Sequence, residues 1–331
     1  MNRPGTKTRR VGITLSVLSI VATITAVVPG LADSAPPTPI ALPTRVPMAG
    51  ADFPGAPPAF EIPAGGSVEV IDAGPDDTTF VLKRSDGTLF AEARVFRGHT
   101  RTALFYDETG TLAQATHALW PDEAQQAVQS NSTRTLAIAK RKAASCTSNT
   151  LYNAHGWRVD PAVTFDWRFN AGSTPSGMSV DTTETYLRNG HAEWYNNTNW
   201  CGVADNSSFL MAYGGRTTLG WGDNGYNTVG FGDGRQIGCD GAVACTRSEP
   251  SNGINQESDT RLNSAQYSFI NGAASGKYDT WSIMAHELGH TLGCDDQAYT
   301  TEDVMYYLGS TNDVSDQKLG RGDATCNNDK Y

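Results

Sequence analysis

Residues 281–296 read WSIMAHELGHTLGCDD, and the types and spacing of their side chains suit metal chemistry. His286 and His290 are four residues apart, so on a helix their imidazoles project from one face, one turn apart, as a single ion requires. Glu287 lies about 100° further round. It stands beside the ion, where a carboxylate can take a proton from metal-bound water. Met284, Leu288 and Leu292 form an apolar stripe on the other side, flanked by Trp281 and Ala285. The segment therefore reads as a helix buried on one side and reactive on the other. Gly293 is placed for a left-handed helix stop. The chain can then double back and bring Asp296 to the same ion as third ligand, with Asp295 as the rival oxygen and Cys294 as a competing thiolate. Two nitrogens and one oxygen leave a fourth position for water, whose pKa zinc lowers to about 7. Gly289 costs on the order of 1 kcal/mol against alanine inside a helix, which points to close packing.

The rest of the chain has to position that segment. The composition is that of an ordinary globular protein, and 331 residues can bury a sizeable core. Residues 1–32 carry an arginine- and lysine-bearing start, an apolar run from Val11 to Val28 and a small-residue ending, which reads as a secretory signal. Residues 33–66 are rich in proline and alanine and read as a linker. Residues 67–120 alternate in short strands separated by turn residues, a small β-rich unit, in which His99 and His117 read as surface or core residues. Residues 121–145 read as a helical, basic linker with Lys140-Arg141-Lys142 as a processing site, which would make the β-rich unit a removable pro-segment.

All six cysteines, Cys146, Cys201, Cys239, Cys245, Cys294 and Cys326, fall in residues 146–331, and in an exported chain they read as three disulfides. Fifteen connectivities are open. Cys239 with Cys245 closes a short loop, Cys294 with Cys326 would staple the metal-binding turn to the tail, and Cys146 with Cys201 then remains. Net charge divides in the same place, +1 before residue 146 and −11 after it. An acidic C-terminal half speaks against nucleic acid and anionic membranes as partners.

Within residues 146–331, strand signals at Val163–Phe169, Ser208–Tyr213, Asn227–Phe231, Ala242–Arg247 and Asn255–Asn263 accompany a helical pattern from Val180 to about Trp194. With the segment around His286 this makes an α+β architecture, a twisted sheet with helices packed on it. The run from Gly220 to Gly241 holds Asp223, Asn224, Asp233 and Asp240 and offers oxygen ligands for calcium or a plain glycine-rich loop. Arg321-Gly322-Asp323 is an adhesion tripeptide in form and weak evidence for that function.

HELGHTLGCDD resembles the extended zinc motif of the metzincin endopeptidases, with aspartate as third ligand as in the snapalysin-like bacterial type. Met305, nine residues after Asp296, stands where that family has its methionine turn. The resemblance covers residues 146–331. It implies a metzincin-like twisted, mostly parallel sheet with an antiparallel edge strand, two long helices and an active-site helix, preceded here by the β-rich pro-region. It also implies a zinc held by His286, His290 and Asp296, Glu287 as general base, and Tyr307 as donor to the oxyanion. Extended peptide substrates would pair with an edge strand, for which Ala242–Arg247 is the candidate. The expected protein is thus a secreted, monomeric zinc metalloendopeptidase without a membrane anchor. The alternatives are a zinc hydrolase of non-peptide amides and a non-catalytic metal-binding protein. No cysteine precedes residue 146, so a thiolate cannot keep such an enzyme latent.

Overall fold

The computed structural model describes residues 44–47, 59–74, 77–96, 99–122, 146, 150–222, 224–237 and 239–331. The signal segment 1–32, all of the linker 33–66 except 44–47 and 59–66, and the stretch 123–145 with its basic triplet lie outside the described residues. No helix among the described residues is long and apolar enough to cross a membrane. The chain divides into two compact units, Met1–Thr100 with Tyr106–Gly110, and Arg101–Phe105 with Thr111–Tyr331.

In the smaller unit β1 (Thr44–Pro47) and β2 (Ala59–Ile62) pair antiparallel, and β3 (Ser67–Gly74), β4 (Asp77–Lys83) and β5 (Leu89–Phe96) form an antiparallel meander. Period-two alternation buries Ala91, Ala93 and Val95 on one face of β5.

β6 (His99–Tyr106) enters the larger unit at Arg101, and β7 (Leu112–Pro121) follows it. Then come β8 (Asn153–Ala154), β9 (Phe165–Asn170), α1 (Val180–Tyr195), β10 (Met211–Thr217), β11 (Asn227–Gly232), β12 (Ala244–Ser251) and β13 (Ile254–Asn263). The chain closes with β14 (Phe269–Ile270), β15 (Tyr278–Asp279), α2 (Thr280–Leu292), β16 (Cys294–Asp295), β17 (Leu308–Gly309) and α3 (Arg321–Lys330). The sheet runs β10-β9-β11-β13-β12-β7-β6, with β17 on the end of β7. β9, β10, β11 and β13 pair parallel, whereas β12 pairs antiparallel with both β13 and β7.

This corrects the metzincin-like arrangement that the motif implies. The protein is mostly strand, its sheet is large and mixed, and only three α-helices occur among the described residues. The physical reason is β7. It pairs antiparallel with β12 from Leu119 to Ala115 and carries the ladder past β12, where the resemblance requires the sheet to end.

The core of the larger unit lies between sheet and helices. Phe165, Trp167 and Phe169 form the inner face of β9 and meet Leu187 and Trp194 of α1 and Met284, Leu288 and Leu292 of α2. α1 and α2 cross at Gly190, where a Cβ would fall 2.9 Å from Met284 Cβ and 3.0 Å from Ala285 N. Three disulfides, Cys146–Cys201, Cys239–Cys245 and Cys294–Cys326, tie the unit together.

Candidate metal centre

α2 is delimited by two local devices. Asp279 caps its start by accepting from Ser282 N at 3.0 Å, and Gly293 ends it in the left-handed region at φ 93°. The reversal lays β16 antiparallel on β8, with Asp295 opposite Asn153, and the Cys294–Cys326 disulfide holds β16 to α3. Asn153 Nδ2 donates to Asp296 O at 2.6 Å. α2 is closed on every side, unlike the half-exposed helix its sequence describes, because β7 covers the reactive face and His117 stacks on His290 at 4.2 Å.

That reversal brings three predicted ligands together. His286 Nε2 lies 3.1 Å from His290 Nε2, and Asp296 Oδ1 lies 3.3 Å from the first and 3.8 Å from the second. Bonds of about 2.0–2.1 Å to a tetrahedral zinc would set its donors about 3.3 Å apart. The other ring nitrogens are already engaged. His286 Nδ1 donates to Val304 O at 2.7 Å and His290 Nδ1 to Cys294 O at 3.2 Å, which turns both Nε2 lone pairs toward Asp296. Neither oxygen of Asp296 receives a hydrogen bond although the side chain is fully buried. An unsolvated carboxylate facing two imidazole nitrogens fits a divalent cation. Asp296, not Asp295, is thus the carboxylate beside the histidine pair.

Glu287 is fully buried next to this set. Thr246 Oγ1 on β12 donates to its Oε2 at 2.6 Å, while Oε1 has no hydrogen-bond partner. Burial pushes its carboxyl up to about 7, a shift that His286 and Thr246 oppose. Burial also holds His290 well below the usual imidazole range, reinforced by His117. Burial disfavours charge on His286 as well, yet Asp296 and Glu287 outweigh it and raise the ring to about 9 in the metal-free chain.

Met305 sits under α2 as a packing residue. A Cβ on Gly289 would clash with its sulfur and with the Trp194 ring, which explains the glycine. The turn is held by Asp323, whose carboxylate accepts from Val304 N at 2.6 Å, Met305 N at 3.1 Å and Gly320 N at 2.7 Å. Asp323 is 1% exposed, so the Arg321-Gly322-Asp323 tripeptide is a buried strut and no adhesion epitope. Tyr307 is buried beneath the Arg101 guanidinium, 5.0 Å from ring centre to cation. Arg101 Nε in turn lies 3.6 Å from Asp296 Oδ2, the oxygen turned away from the histidine pair.

The segment expected to receive substrate is occupied. β12 pairs on one side with β13 and on the other with β7, in the register Ala244↔Leu119 to Ser248↔Ala115. Val243 N donates to Leu119 O at 2.6 Å, and Trp120 N and Asp122 N donate across the cleft to Tyr307 O and Gly309 O. Leu119 lines a small pocket together with Ile283, His286, Val304, Leu308 and Gly309. In the glycine-rich run, Asp233 is paired with Arg235 and Asp240 accepts from Gln266, while Glu257 and Asp259 accept from loop amides. Asp223 lies outside the described residues. Sequence reasoning missed Arg101 and Thr246, took Asp323 only as part of the Arg321-Gly322-Asp323 tripeptide, and left His117 without a role. A second group, His117, His155 and Asp295, also has the spacing to hold a metal ion. No known family model matches the chain, and no curated protein matches it.

Proposed function

We propose that the chain is an exported zinc-dependent endopeptidase, kept latent by its own β7. The carrying observation is the convergence of His286 Nε2, His290 Nε2 and Asp296 Oδ1 at tetrahedral spacing beside an unpartnered Glu287 oxygen. Zinc bound there would supply a Lewis acid and a water acidic near neutral pH. Glu287 Oε1 takes the proton of the attacking water and returns it to the leaving amine, and Thr246 keeps the carboxylate aimed by holding Oε2. Tyr307 donates to the developing oxyanion once Arg101 has left its ring. Signal-directed export agrees with the three disulfides.

A purely structural metal has no use for a buried carboxylate with an unpartnered oxygen beside it, which favours catalysis over a binding role. The peptide-like seat of β7 favours polypeptide substrates over small amides: one edge pairs with β12 while amides on the other reach Tyr307 and Gly309. The test is casein hydrolysis by the full chain before and after limited trypsin digestion, with trypsin then inhibited. Hydrolysis should rise on digestion, stop with a chelator, and be absent in Glu287→Gln with the metal retained. Equal hydrolysis by wild type and Glu287→Gln would end the reading.

A further inference from the structure

We propose that His117, His155 and Asp295 form a second divalent-metal site, separate from the catalytic one, that fastens β7 to the body of the larger unit. This does not rest on the peptidase reading. The three residues come from distant parts of the chain and converge through strand pairing. β8 lies on β16 with Ala154 opposite Cys294, which sets His155 beside Asp295, and β7 on β12 delivers His117 from the other side. One nitrogen of each ring and one oxygen of Asp295 all lie within 4.8 Å of one another. His155 Nε2 is 3.2 Å and His117 Nδ1 3.7 Å from Asp295 Oδ1, near the roughly 3.3 Å that separates donors on a tetrahedral ion.

Three further observations point to a ligand. His117 is fully buried with its Nδ1 toward Asp295 and 3.4 Å from Thr102 Oγ1, and the buried His155 Nε2, aimed at Asp295, has no hydrogen-bond partner. Asp295 is held in place by two donors to its Oδ1, Thr102 Oγ1 at 3.2 Å and Asp296 N at 2.8 Å. The two consecutive carboxylates also face different histidine pairs, Asp295 toward His117 and His155 and Asp296 toward His286 and His290, so each group has an acid ligand of its own. Two imidazoles and one carboxylate, completed by water or the Thr102 hydroxyl, suit zinc and its borderline neighbours cobalt and nickel and suit calcium or magnesium poorly.

The experiment is elemental analysis of the purified full chain, with zinc or cobalt titrated into chelator-stripped protein. Wild type should hold two ions per chain, released by a chelator in two phases. His155→Gln and His117→Gln should each hold one, as should His286→Asn. Folding of each variant is checked by circular dichroism, and the two-phase release from wild type needs no variant at all. One ion per chain, lost in His286→Asn and kept in His155→Gln, overturns the proposal and leaves the catalytic site standing. One ion lost in His155→Gln and kept in His286→Asn supports this site and removes the catalytic one. A chain that binds no ion overturns both.

Discussion

Gly289→Ala tests whether the seat of α2 depends on an absent side chain. Helix propensity alone favours alanine by about 1 kcal/mol. The new Cβ, however, would lie 2.7 Å from Trp194 Cζ2 and 3.0 Å from Met305 Cε, and nearer still to the Met305 sulfur. Carbon contacts settle at about 3.5–4.0 Å, so the ring edge must yield by about 1 Å and the thioether by more. Neither neighbour is free to move. Trp194 Nε1 donates to Ala285 O at 2.7 Å, and Met305 N is held by Asp323. Overpacking of this kind costs roughly 1–3 kcal/mol, and with both neighbours anchored the upper end applies. The net expectation is destabilisation by about 2 kcal/mol, read as a lower urea midpoint with unchanged slope.

The shift should also reach the ligands, because His286 Nδ1 bonds to Val304 O, next to Met305. Metal affinity should fall roughly tenfold, the low end for damage to a ligand's supporting contacts. Met305→Ala alone opens a cavity and costs about 2–5 kcal/mol, but combined with Gly289→Ala it gives the new methyl room. The double-mutant cycle should therefore show roughly 1–2 kcal/mol of favourable coupling. A Gly289→Ala protein that is about 1 kcal/mol more stable, with the two changes additive, would refute this account of the glycine.

Asp323→Ala strands three backbone N–H groups in and around the methionine turn and should cost about 3 kcal/mol in denaturant unfolding, with weakened metal binding. His191 stacks on Trp167 at 3.6 Å, and burial lowers its pKa to about 3, against about 6.5 for a free imidazole. The unfolded chain therefore binds the proton more readily between those values. Stability is complete above about pH 6.5 and falls with acid, by about 3 kcal/mol at pH 4.5, and His191→Leu should flatten that slope. Because β7 fills the edge of β12, the undigested chain should hydrolyse casein at least about tenfold more slowly than the processed one; equal rates would show that β7 does not block access.

The donor set was legible because a helix fixes its own geometry. Four residues at 3.6 per turn place His286 and His290 on one face in any context, and Gly293 announces the turn that returns Asp296. What the sequence conceals is nonlocal. Arg101 and Thr246 are ordinary residues of ordinary strands, and they meet the site only because β7 pairs with β12 and β6 with β7. No local pattern distinguishes a strand that ends a sheet from one that extends it, so the sheet order was misjudged where β7 joins. Some local signals were available and unused. Asn252 and Gly253 both have positive φ, the tight turn that makes β12 and β13 a hairpin, and that dipeptide marks such a turn in sequence.

The two consecutive aspartates show why burial matters more here than motif spelling. Successive side chains of an extended segment point to opposite sides, so Asp295 and Asp296 cannot serve one ion equally. Asp295 turns to His155 and His117, and Asp296 turns to His286 and His290. A shift of one residue in the β8–β16 register would exchange them, presenting each histidine pair with the wrong carboxylate. The Cys294–Cys326 disulfide and the bond from Asn153 to Asp296 O oppose that slip from both sides of the turn. Positional precision at the centre is therefore imposed from outside the segment that carries His286 and His290, by a cystine and an amide side chain that carry no chemistry of their own.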